Sequence, residues 1–367
     1  DNSARVALAF NPDGSFASGN GSGPEGSFIL SDNVDSAGTH KFSAQLEEAT
    51  LPNGFSLDFH CGNDKEDLHA TSAADLANQL KTVSGSPQAP AAVSHALRFA
   101  TVAVDTDSAF MQNLFGNNTT NANIWIAKMI NSMNLTYERD LLVRLYLGTT
   151  ILRTVPATDP YAAGGSNPIT YPADGTDLDN FGNYWAANEG SVSRAFAVLL
   201  SGLGPCSSGC SASGIAWINS YCQKPSSGGS YAVVEVFSQL SVDPNGVLAA
   251  GLYDHELGHN FGADHTHCTD ITTGQWAVAT NTIDTCYNGE AGSGCYGGAT
   301  TSCPVGGVGT IMSYCHIKGC GSNLTAFHTT QINAPTWGLL ARINAAPAAC
   351  LNTTDDIFWD SFEKPGG

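Results

Sequence analysis

Three histidines and a glutamate inside one eleven-residue run are the part of this sequence best equipped for chemistry: His255-Glu256-Leu257-Gly258-His259-Asn260-Phe261-Gly262-Ala263-Asp264-His265. On a helix, His255 and His259 lie one turn apart and point the same way, so two imidazoles can converge on one metal ion. Glu256 follows the first of them and is placed to meet a water beside the metal rather than the metal itself. Zinc acidifies such a water toward a pKa of about 7, and a carboxylate can then take its proton. Gly262 lets the helix stop, because glycine tolerates the backbone angles of a tight turn. The chain can then turn back and offer His265 as a third ligand, leaving a fourth position for water or substrate. A bare HExxH arises by chance on helices. The longer form, with Gly262 and His265 also in place, is far harder to reach by accident. His267, two residues further on, reads as a surface or supporting residue.

The elements that must position this run follow an α/β order. Residues 99–104 form a compact apolar strand. Ile126, Met129, Ile130 and Met133 recur at helical spacing and predict an amphipathic helix over 121–134. Residues 141–147 alternate as a strand, 192–200 read as another helix, and 215–218 and 232–237 read as strands. Asp243 and Pro244 make a good N-cap and first-turn pair for a helix running through Leu248, Leu252 and Leu257 to His259. Upstream, residues 1–82 are rich in Gly, Ser, Asn and Asp, with short alternating runs at 27–30 and 55–59, which predicts a small β-rich unit. Residues 83–96 are rich in Ser, Ala and Pro and read as a linker open to proteolysis. Residues 351–367 form an acidic, aromatic tail.

Bulk composition narrows the function classes. The 367 residues are 42% hydrophobic and 13% charged, which is globular rather than disordered. A formal charge of -19 argues against nucleic acid or an anionic membrane as partner and is explained well enough by solubility. No apolar run approaches the ~18 to 20 residues of a membrane span. No charged-plus-apolar leader stands at Asp1, as expected for a chain whose signal peptide is gone. Of 11 cysteines, 10 follow residue 205, and in so Gly-rich a region they read as a disulfide framework formed outside the cytosol. A secreted, monomeric protein is expected.

The histidine run resembles the metzincin signature, whose companion is a methionine turn. Gly309-Thr310-Ile311-Met312-Ser313-Tyr314-Cys315 supplies one, with Met312 expected as an apolar floor beneath the three histidines. Without the upstream run, Met312 would pass for an ordinary core methionine. Within metzincins the chain is most similar to the reprolysin (adamalysin) group. HELGHNFGADH and TIMSYC are close in wording, and Gly214, Ile215, Ala216 and Trp217 resemble that group's glycine-led edge strand. The likeness runs from about Phe99 to Cys350. It implies a catalytic domain over 97–350, built on a twisted mixed sheet with an active-site helix and a disulfide-rich lower subdomain. It also implies a Zn2+-dependent endopeptidase with Glu256 as catalytic residue and protein or peptide substrates added as a strand along residues 214–217. Reprolysins often carry Ca2+ as well, though no loop here spells such a site. Two features depart from the group. Thr266 follows the third histidine where reprolysins usually have aspartate. Tyr314, two residues after Met312, has a spacing similar to astacins and serralysins, where that tyrosine can be a movable zinc ligand. Tyr314 is therefore either a fifth ligand and transition-state donor or a packed aromatic.

The eleventh cysteine, Cys61, is left over if the later ten pair among themselves. A free thiol in an oxidising compartment is a liability unless it is buried or bound. Its setting upstream of a cuttable linker resembles the cysteine switch of metzincin proenzymes, in which a thiolate fills zinc's fourth position. On that reading residues 1–82 are an inhibitory propeptide, Cys61 is a fourth metal ligand, and the chain's own N-terminal part is a partner of the site. A buried free cysteine is the bland alternative. Two others are an active protease carrying an N-terminal binding module, and a metal-retaining adhesin or toxin module.

Overall fold

The computed structural model describes residues 5–10, 16–23, 26–34, 38–46, 59–65, 68–70, 97–204, 212–238, 247–290, 294–305, 307–320, 323–345 and 350–351. The linker at 83–96, Cys206, Cys210, the Asp243-Pro244 pair and the tail beyond Leu351 lie outside them.

Apolar residues spaced by two build the central sheet. Strands β6 (Arg98–Thr106), β7 (Val143–Ile151), β8 (Phe196–Leu203), β9 (Ala212–Ala216) and β10 (Tyr231–Phe237) join in the order β9-β10-β8-β6-β7. All are parallel except β9, which runs antiparallel to β10 at the edge. Successive side chains point to opposite faces. Val102 and Val104 of β6 and Val198 and Leu200 of β8 therefore face one core, while Ala103, Ala197 and Leu199 face another. Helices α1 (Ser108–Phe115), α2 (Thr119–Leu141) and α4 (Val247–Phe261) cover the first face, and α3 (Gly175–Asn188) covers the second through Leu178, Phe181 and Trp185. Two short helices, α5 (Thr329–Asn333) and α6 (Leu339–Ala345), close the C-terminal side.

Three sequence expectations need correction. The run 192–200 is not helical: its core is β8, buried on both faces, and a continuous apolar run fits a buried strand as well as a helix. Helix α3 went unread although Asp174 and Asp177 form a capping box at its start. Helix α2 spans 119–141 rather than 121–134: Asn118 caps it, and it ends where Leu142 turns left-handed at φ 54°. Residue 141 thus closes a helix and does not open a strand.

The N-terminal part carries its own antiparallel meander, β1 (Arg5–Phe10), β2 (Phe16–Gly23), β3 (Gly26–Val34) and β4 (His40–Leu46), whose first two strands lie against α2. Of the alternating run at 55–59 only Phe59 is described. It begins β5 (Phe59–Cys61), which pairs in parallel with β9 and makes the central sheet six-stranded. Among the described residues no helix is long and apolar enough to cross a membrane.

Candidate metal centre and the segment that covers it

Helix α4 enters the core with almost no solvent-facing side: every residue from Leu252 to Phe261 is buried. It stops at Gly262, whose φ of +106° is strained for any L side chain and whose missing Cβ leaves room for Arg342 and Asn219. The Gly262 carbonyl takes a hydrogen bond from the Arg342 guanidinium, fixing the reversal. The chain then returns His265 toward the helix.

The three imidazoles meet nitrogen to nitrogen. His255 Nε2 lies 3.1 Å from His259 Nε2 and 3.2 Å from His265 Nε2, and all three rings are fully buried. Their other nitrogens are engaged: His255 Nδ1 donates to Ile311 O at 2.7 Å, His259 Nδ1 to Ala263 O at 2.8 Å, and His265 Nδ1 to Glu290 Oε2 at 2.9 Å. Those acceptors hold the proton on Nδ1 and turn three Nε2 atoms toward one point, where a cation, or a proton on one of the rings, must offset the repulsion of their lone pairs. Cys61 Sγ completes the group, 3.4 Å from His259 Nε2, and the four donor atoms lie within 4.8 Å of one another. Ligands around tetrahedral zinc stand about 3.3 Å apart between nitrogens and about 3.6 Å between nitrogen and sulfur. The residues therefore fit that ion.

Electrostatics agree. Burial, helped by the neighbouring rings, pushes His255 well down and His259 down to about 3, so both are neutral. Burial also disfavours charge on His265, but the Glu290 carboxylate outweighs it and lifts this ring to about 9; a metal entering must displace a proton there. Burial raises Glu256 to about 8 against the pull of His265 and Cys61. The Cys61 thiol is pushed well up by burial and then by Glu256, so a thiolate here needs a cation among the histidines.

Around this centre the turn at Met312 and the edge strand close in. Met312 is fully buried, and its sulfur lies 2.7 Å from where a Cβ on Gly258 would stand. Thr266 N donates to Met312 O at 3.0 Å, tying the third histidine's neighbour to the turn. Gly214 of β9 leaves room for Glu256, whose carboxylate a Cβ there would strike. Tyr314 is fully buried between His265, His267 and Tyr287, and its hydroxyl donates to Cys61 O at 3.1 Å.

The segment bearing Cys61 is fastened along the edge strand. Cys61 pairs in register with Gly214. The Asn63 side chain then acts as a strand residue: its Nδ2 donates to Ala216 O at 2.8 Å and its Oδ1 accepts from Ala216 N at 3.1 Å. Leu68 and Ala70 backbones bond Ile218, and His69 stacks on Trp276 at 4.3 Å while pairing with Asp264 at 3.3 Å. Ile215, Ala216 and Trp217 are thus flanked by residues 59–65 and 68–70.

Sequence reasoning missed several residues here. Glu290, in a Gly-rich stretch without period, has only its place between Cys286 and Cys295 to mark it. Asp284 accepts from the Thr266 hydroxyl at 2.5 Å and the Ser313 hydroxyl at 2.8 Å, giving Thr266 the carboxylate that its own position lacks. Of the two readings of His267, surface or supporting, the structure favours the second: it is fully buried and bonded to Glu290 Oε2 at 2.5 Å. Among the described residues four disulfides frame the region, Cys222–Cys350, Cys268–Cys295, Cys286–Cys315 and Cys303–Cys320, while Cys61 is free and buried. Their number fits an extracellular protein.

Comparison with curated proteins gives no match. The family model Reprolysin_5, metallo-peptidase family M12, matches residues 96–328, from strand β6 through all three histidines and Met312. With more than half of its length matched, the chain belongs to the M12 family of zinc-dependent metallopeptidases.

Proposed function

We propose that this chain is the latent form of a secreted zinc endopeptidase, in which His255, His259 and His265 hold the metal and Cys61 occupies its fourth position. The observation that carries the reading is the buried Cys61 sulfur, 3.4 Å from His259 Nε2 at the point where the histidines converge. Latency follows from what the segment covers. The backbone N–H and C=O of Ala216, which an extended substrate would use, are already satisfied by Asn63. On this reading residues 1–82 are the inhibitory domain, 83–96 the stretch whose cleavage releases it, 97–350 the catalytic domain, and 351–367 a tail.

Bound zinc supplies Lewis acidity to an attacking water and to the scissile carbonyl. Glu256, beside Gly214 at the edge strand, takes the water's proton and passes it to the leaving amine. Gly214, Ile215, Ala216 and Trp217 align the substrate backbone. Tyr314, once its hydroxyl is no longer occupied by Cys61 O, can donate to the carbonyl oxygen as it gains charge. Met312 supports the histidines from below.

Digestion of casein by the uncut chain tests both halves of the proposal. Cys61→Ala should raise activity of the uncut protein at least about tenfold, toward that of the linker-cleaved form. Adding Glu256→Gln should remove activity by roughly 10²–10⁴-fold while zinc stays bound. An uncut Cys61→Ala protein as silent as the parent sinks the thiol lock; full activity in the Glu256→Gln protein sinks the assignment of the base.

A further inference from the structure

The three histidines are not held alike. His255 and His259 each donate Nδ1–H to a backbone carbonyl, of Ile311 and Ala263, whereas His265 donates to a carboxylate, Glu290. We infer that Glu290 is the positioning residue of the third metal ligand, and that it works as a unit with His267. This rests on His265 being a zinc ligand, but not on the thiol lock.

The geometry makes the unit specific. One oxygen, Glu290 Oε2, receives both His265 Nδ1 at 2.9 Å and His267 Nε2 at 2.5 Å. The two imidazoles stack 5.3 Å apart and only 9° from parallel, and both side chains are wholly buried, with Glu290 itself 8% exposed. A carboxylate on the outer nitrogen fixes the ring's tautomer and its rotation, and makes the inner nitrogen a stronger donor to a divalent cation than a neutral carbonyl does. His267 adds a second bond that keeps the carboxylate from swinging away.

Covalent structure places Glu290 there. It lies between Cys286 and Cys295, and each is anchored beside the centre: Cys295 to Cys268, three residues after His265, and Cys286 to Cys315, three residues after Met312. Both ends of its loop are therefore tied to the elements that bear the third ligand and the methionine. Nearby, Asp284, two residues before Cys286, grips Thr266 and Ser313. The carboxylate on the His265 ring thus comes from downstream in the chain, whereas Asp264, in the turn itself, accepts only from the His265 backbone N–H, at 2.8 Å.

Zinc affinity of the full, uncut chain, measured by competition against a chelator of known affinity, tests the inference. Glu290→Gln preserves the volume and an acceptor oxygen, so a role in folding alone predicts unchanged affinity. The inference predicts a loss of about tenfold for Glu290→Gln and up to about 100-fold for Glu290→Ala. With cobalt in place of zinc, the visible absorption bands of Glu290→Gln should shift, because His265 then donates more weakly. Parent-like zinc affinity, within twofold, in Glu290→Gln overturns the inference while leaving the zinc centre standing. A parent chain that takes up no zinc overturns both.

Discussion

The two walls of the candidate metal centre are built on opposite plans. The histidine side belongs to the core: α4 is buried all round, its reversal is pinned by Arg342, and disulfides tie the loops behind it. The Cys61 side is docked rather than packed. Residues 59–65 and 68–70 hold on through a three-residue strand, one side-chain amide, backbone bonds to Ile218, the Tyr287 hydroxyl on Asp64, and His69 on Asp264 and Trp276, with Leu68 set into the second core as an apolar anchor. Most of these fastenings are polar, and each polar one has a backbone or water substitute. Apolar contact of the kind that fixes α4 could not be exchanged so cheaply. A wall held by replaceable hydrogen bonds can leave without unfolding what it covers.

Three substitutions probe this contrast, beginning with the frame. Glu235, buried in β10 beneath Ala173, is raised by burial to about 8 against the bonds from Ala173 N and Ser213. Its folded value lies above its unfolded one, so its contribution is fully present below pH 4.5 and is lost as pH rises through about 8. Removing the titration with Glu235→Gln should stabilise the frame at pH 9, by on the order of 5 kcal/mol at most, with little change at pH 4. Chemical denaturation at the two pH values would show this, and equal shifts at both would break the argument.

The docked wall should respond next. A Cβ on Gly62 would stand 2.7 Å from Ala173 O and 2.8 Å from Ile215 Cδ1. Gly62→Ala should therefore unseat Cys61 at a cost of about 1–3 kcal/mol, visible as activity in the uncut chain with little change in melting temperature. A large fall in melting temperature would mean the segment is part of the core after all. Asn63→Ala removes two buried hydrogen bonds that substrate or water can replace. It should leak activity more weakly, for a loss of roughly 1–2 kcal/mol, and an uncut variant with no leak would show that strand pairing alone holds the segment.

Legibility in the sequence followed distance along the chain. The histidine run and the glycine that ends it were readable because the helix repeat alone brings His255 beside His259. Cys61 was readable only by parity, as the cysteine left over. Glu290 and Asp284 carried no signal, since their partners lie 25 and 18 residues away across disulfide-bounded loops. Residues 192–200 misled for a different reason: an apolar run reports burial and says nothing about whether a strand or a helix is buried.

By itself, then, the sequence determined the histidine–glutamate run, the glycine that ends its helix and the family, all of which depend on residue type and short spacing. Only the tertiary structure decided that Cys61 lies among the histidines, that Asn63 stands in for a strand on Ala216, and that a carboxylate backs His265. Those outcomes depend on how β9, α4 and the disulfide loops converge. Convergence of distant segments is set by burial and register, which leave no local pattern in the chain.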